Sequence, residues 1–292
     1  MPQLRRCLSH FRAALLALLL GAAPAANAAD SPAAVKSADQ YIAHGDLKAA
    51  AIELRNAIRE SPQDAKLRGR LARIYLQLRD PISAEREARA ARERNDAEAD
   101  YLPVLDEALL RQGKFQELTD LVRPDNRPPA LESQVRWALG MAASGLHDRA
   151  KAQSLLQDAI KLDAKAASPK IGLARLLGGS NPQQANQLLG QVLAADPRSV
   201  EALQLKGELA RAEGDSQTAM NDFNAALQID PQNIAARLSR ADLNLAEGKF
   251  SAADEDLDPV LKANPGSFMA NYLRALEAAK QKRYAEADRL LD

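Results

Sequence analysis

Aromatic residues make up only 4% of the chain, cysteine occurs once and histidine three times. The aromatic shortage excludes a typical sheet protein, whose interior draws on aromatic and β-branched side chains. Neither sign of charge is in surplus, since 39 Lys+Arg face 39 Asp+Glu. A nucleic-acid binder would need a basic excess to meet phosphates, so that class is excluded. Long apolar runs are also missing. The longest, Ala13 to Ala23, has 11 residues, about half of the ~20 that a membrane-spanning helix needs. What is present is hydrophobic content of 46%, much of it Ala and Leu, and 27% charged residues. That composition suits an all-α protein with a sizeable core.

The amino terminus reads as an export signal. Arg5, Arg6 and Arg12 supply a positive start, Ala13–Ala23 the short apolar stretch, and Ala26-Asn27-Ala28 a small-residue cleavage site. Removal of residues 1–28 takes away three arginines and no acid, leaving a net charge of −3, and also removes Cys7, the sole cysteine. The mature protein is therefore expected in the periplasm of a Gram-negative bacterium, without disulfides. Cys7 precedes the apolar run and is not placed for lipid modification. No transmembrane span is expected, and membrane association would come only through partners.

The rest of the chain repeats. Pro197, Pro231 and Pro265 are 34 residues apart, and a column of alanines runs through Ala50, Ala84, Ala152, Ala185, Ala219, Ala253 and Ala287 at nearly the same period. Gly45, Gly113, Gly214 and Gly248 form a third column, in the turn. In residues 200–233, Gly207 and Ala219 let two helices approach, Gly214-Asp215 turn the chain, and Asp230-Pro231 end the second helix. Each unit is a helix-turn-helix that must stack on its neighbours to bury its apolar face. The period gives units at 31–64, 65–98, 99–132, 133–166, 167–199, 200–233 and 234–267, with a partial eighth from 268.

Two irregularities shape the expected organisation. Arg123 to Ala130 reads RPDNRPPA, and three prolines in eight residues exclude a continuous helix. It is read as a proline-rich joint (123–130) between a front array (29–122) and a rear array (131–292). At the other end, Asp292 falls inside the last helix without a polar cap, so the natural chain is expected to continue.

Chemistry is scarce. His44 and His147 sit at separate turns, too far apart in the repeat order for one metal site. The phosphate-loop, dinucleotide, zinc-protease and serine-hydrolase motifs are all missing from the sequence. Asp254, Glu255, Asp256 and Asp258 lack the glycine and terminal glutamate of a calcium loop and read as a solvated helix face. The run EREARAARER at 85–94, with Glu85 and Arg89 one turn apart, also reads as solvated helix. No catalytic residue, cofactor or metal is expected.

These repeats resemble the tetratricopeptide repeat. The resemblance implies a right-handed superhelical solenoid whose first helix in each unit lines a concave, partner-binding groove. Carried onto this sequence, it places Lys66, Arg73 and Arg111 toward a basic front with Arg70 nearby. It sets Trp137 and Met141 at the middle, and Glu201, Glu208, Asp242 and Tyr272 toward a more acidic rear. Trp137 is either an interface anchor or packing across the joint. The longer text from Tyr41 (YIAHGDLKAAAIELRNAIRESPQDAKLRGRLARIYLQLRDPISAEREARAA), then ALLRQGKFQELTDLV from Ala108 and the final LKANPGSFMANYLRALEAAKQKRYAEADRLLD, resembles the PEP-CTERM system TPR-repeat (PrsT) family. This implies a non-enzymatic exported scaffold whose protein partners belong to an exopolysaccharide or exosortase assembly. The alternatives are a repeat subunit of an outer-membrane polysaccharide secretion complex, and the targeting arm of a longer enzyme.

Overall fold

The computed structural model describes residues 32–291, so the export-signal reading lies outside the described residues. All regular structure in it is helical: sixteen helices form eight antiparallel hairpins stacked in chain order. The hairpins are α1 (Pro32–Ala43) with α2 (Leu47–Glu60), α3 (Ala65–Gln77) with α4 (Pro81–Glu93), and α5 (Glu98–Arg111) with α6 (Phe115–Leu121). Next come α7 (Pro129–Gly145) with α8 (Arg149–Leu162), and α9 (Ala167–Leu177) with α10 (Pro182–Ala195). The last three are α11 (Val200–Ala212) with α12 (Ser216–Ile229), α13 (Ile234–Ala246) with α14 (Phe250–Ala263), and α15 (Phe268–Lys280) with α16 (Tyr284–Leu291). This is the all-α solenoid that the 34-residue period predicts.

The turns follow from local chemistry. Asp46, Asp80, Asp148, Asn181 and Asp215 each accept a hydrogen bond from the backbone N–H three residues on, capping the second helix of their hairpins. Just before these caps the chain enters the left-handed region, at Gly45, Gly113, Gly214 and Gly248 in four hairpins. Arg79, His147 and Lys282 occupy the same place in three others, with φ of 60°, 63° and 63°. The fourth repeat therefore turns regularly at His147. Gly145, two residues earlier, lies inside α7, with an edge of the Phe115 ring where a Cβ would project.

Repeat 3 departs most. Its second helix, α6, has seven residues and stops at Leu121, because Arg123 precedes Pro124 and is driven toward an extended conformation. Pro129 then occupies the first turn of α7, where its missing N–H costs nothing. Leu118 and Val122 on one side of the 123–130 segment share a single apolar core with Val135, Ala138 and Leu139 on the other. Arg127 bridges the segment as well, donating to Glu98 (2.8 Å) and Glu132 (3.1 Å).

Two charge clusters are less solvated than their sequence suggests. Asp256 has no exposed surface and accepts both nitrogens of an Arg240 fork, at 2.8 and 2.7 Å, with Arg237 at 3.2 Å. Asp254 and Asp258 hold Arg274. Glu85 is buried beneath Lys114, Gln112 and Arg89, the Arg89 contact being the expected one-turn pair at 2.9 Å. The same arrangement recurs within hairpins, where Arg68 meets Glu87 and Lys206 meets Asp222. Closely packed helices leave one turn of the second helix facing the first, so an acid there must find a cation or stay neutral.

Candidate functional site

A hollow of about 950 Å³ opens along the first helices of repeats 3 to 6. One wall is α5, which presents Pro103, Asp106, Glu107, Leu110 and Arg111, positions that recur every three or four residues on one helical face. The floor is α7, with Gln134, Trp137, Met141 and Ser144 on one face. Phe115 closes one end, and the approach to α9 (Asp163 and Ala166 to Pro169) with Glu201 of α11 closes the other. A hollow of this size falls in the range that holds specific ligands.

Trp137 is half-buried, packs across the joint against the core below it and against that of the following repeats, and also borders the hollow. Its Cδ1 lies 3.5 Å from where a Cβ on Gly172 of α9 would project, and the Met141 sulfur lies 3.1 Å from the same point. Gly172 thus lets the aromatic ring and the thioether sit close to the next helix.

Arg73 and Arg111 come together with Glu107 at a smaller adjoining hollow of about 270 Å³ between α3 and α5. The basic front is internally neutralised. Arg70 pairs with Asp39, Arg73 with Asp100 at 3.1 Å, and Arg111 donates to Glu107 and to the Leu76 carbonyl at 2.9 Å. Lys66 is exposed at the start of α3 and lines neither hollow. Toward the rear, Glu208 accepts from Gln204 (2.9 Å), Asp242 pairs with Arg211 (3.2 Å), and Glu201 pairs with Arg175 (2.9 Å). Glu208 and Asp242 stand outside the main hollow, whereas Glu201 is part of it. Tyr272 stacks on Phe268 with ring centroids 6.5 Å apart, an exposed aromatic pair on α15.

Sequence reasoning passed over Asp106. It is only 1% exposed, and neither carboxylate oxygen has a hydrogen-bond partner. Burial pushes its pKa up from 3.8 to about 8, Arg127 pulling it back and Glu98 adding to the rise. The repeat alignment holds the missed signal. The same position is Ala38, Ala72, Gly140, Ala174, Gly207, Ala241 and Ala275 in the other seven units, small wherever two helices must approach. Only repeat 3, with its shortened second helix, puts a carboxyl group there.

Among the described residues, no group of three or more His, Cys, Asp and Glu is placed to hold a metal ion. No helix among them is long and apolar enough to cross a membrane.

Known families match at several places. One tetratricopeptide-repeat profile matches residues 41–106 and 210–278, and a second matches 175–234. The fold is similar to that of solved structures. One is the pilF protein of Pseudomonas aeruginosa, at 21% identity with a TM-score of 0.51 over 72% of this chain and 96% of that one. Another is a tetratricopeptide repeat protein from Parabacteroides merdae, at 17% identity with a TM-score of 0.48 over 88% and 89% of the two chains. MamA resembles it at 18% identity with a TM-score of 0.44, over 52% of this chain and 90% of its own. No curated protein matches the sequence.

Proposed function

The chain belongs to the tetratricopeptide-repeat superfamily, and on that premise we propose that it is a non-enzymatic scaffold that holds an extended segment of a partner protein along repeats 3 to 6. The observation that carries this reading is the 950 Å³ groove, built from the first helices of successive repeats and floored by the half-buried Trp137. A rigid aromatic anchor beside a flexible thioether suits a peptide side chain, because large rigid groups lose little entropy on binding.

The finer reading concerns place and partner. The Arg-rich start, short apolar run and small-residue site at residues 5–28 support export to the periplasm. The likeness of the text from Tyr41, Ala108 and Leu261 to the PEP-CTERM system TPR-repeat family supports a role in exopolysaccharide synthesis or exosortase sorting.

Crosslinking of the tagged native protein in its own cells, followed by mass spectrometry, tests both levels. Polysaccharide-synthesis or sorting proteins are expected among the captured partners. Their capture should fall with Gln134→Arg, a change on the exposed groove face outside both cores. An outer-membrane barrel among the partners would instead assign the protein to a secretion complex. Capture that survives Gln134→Arg unchanged would remove the groove from the reading.

A further inference from the structure

Asp106 is costly to the fold. A buried carboxyl group whose oxygens both lack partners loses its hydration and gains nothing intramolecular in exchange. Seven other repeats place alanine or glycine at this point, so the solenoid has no packing need for an acid there. A feature that breaks the local rule without a compensating contact points to something outside the chain.

The surroundings say what that is. Asp106, Glu107, Asp163 and Glu201 line the groove against a single cation, Arg111. Arg111 is itself occupied by Glu107 and the Leu76 carbonyl. Glu201 is likewise held by Arg175, so Asp106 is the carboxyl group of this wall whose two oxygens have no partner. Trp137 and Met141 provide an apolar floor within the same hollow.

We infer that Asp106 is the receptor for an arginine side chain of the partner segment, and that the residues flanking this arginine are apolar and lie against Trp137 and Met141. Arginine suits the position because its planar fork can give parallel donors to both oxygens of one carboxylate. Asp106 is already shielded from water, which strengthens the attraction to an entering guanidinium and makes a missing partner expensive. This inference rests on the groove reading above and names the chemistry of its occupant.

Random peptides displayed on phage and selected on the full chain provide the test, with the best binder resynthesised and its affinity measured by fluorescence anisotropy. The expected binder carries an arginine beside apolar residues. Replacing that arginine with methionine, or changing the protein by Asp106→Ala or Asp106→Asn, should weaken binding roughly tenfold to a hundredfold. Asp106→Ala is expected to melt no lower than the parent, so lost binding would not reflect lost folding. Binders without basic residues, blocked by Gln134→Arg yet indifferent to Asp106→Ala, would overturn the arginine assignment and leave the groove standing. Failure of any peptide to compete at the groove would overturn both.

Discussion

Replacing Asp106 by alanine should make the protein more stable, and by an amount that depends on pH. In the native chain the carboxyl group is buried without a partner, which costs about 1–3 kcal/mol by comparison with other unsatisfied buried groups. Its pKa, raised from 3.8 to about 8 by burial, shows that the charged form is opposed beyond that cost. Between those values the folded chain holds a proton that the unfolded chain has released. Stability from this group is thus fully present below pH 3.8 and is lost as pH rises toward about 8. Alanine has no proton to hold, and it is the residue that most other repeats use here. The variant should therefore gain about 1–3 kcal/mol over the parent near pH 4, where the carboxyl group is neutral yet still unpartnered, and distinctly more near pH 8, where its ionisation in the folded chain is also opposed. Urea unfolding followed by circular dichroism at both pH values gives the comparison, and taking the difference between the two proteins cancels the titration of all other acids. A gain that is equal at both pH values, or a variant less stable near pH 8, would refute the account of Asp106 as an unpartnered buried acid.

Four other perturbations follow from the geometry. His147→Gly should raise stability by about 0.5–1 kcal/mol in thermal melts, because His147 holds a left-handed φ of 63° that glycine adopts without steric cost. Asp256→Ala should destabilise by about 3–5 kcal/mol, since it leaves the part-buried Arg240 and Arg237 uncompensated. The exposed Asp258→Ala should cost less than about 1 kcal/mol in the same urea titration. Gly145→Ala should cost about 1–3 kcal/mol and weaken peptide binding together, because the new Cβ would meet the Phe115 ring at 2.4–2.7 Å and displace a groove-lining side chain.

How legible these features were depends on how local their causes are. Eight hairpins could be read from residues 31–292 because helix propensity, turn chemistry and proline termination act within one repeat, and the 34-residue period multiplies each weak signal. The proline cluster at 123–130 announced the break after α6 for the same reason. Left-handed turns at Arg79, His147 and Lys282 were less visible, since only glycine advertises that conformation in a sequence. The burial of Glu85 and Asp256 was hidden altogether. A charged run on one helix looks solvated until the facing helix brings Lys114, or Arg240, against it.

The groove divides along the same line. Trp137 and Met141 were marked by their spacing on one helix, yet only the stacking of α7 on α9, made close by Gly172, decides that Trp137 touches two cores and still lines a hollow. Arg70, Arg73 and Arg111 read as a basic front, but carboxylates of neighbouring repeats neutralise the first two, and Glu107, one turn back on the same helix, neutralises Arg111. Asp106 was written in the sequence as the one acid in a column of small residues. Its meaning came from the tertiary structure, because whether a carboxylate has a partner depends on groups that lie far from it along the chain. Sequence by itself determined the period, the helices and their turns, which local forces govern. Charge pairing, burial and the shape of the groove were decided only when the repeats packed, because those are properties of surfaces that meet.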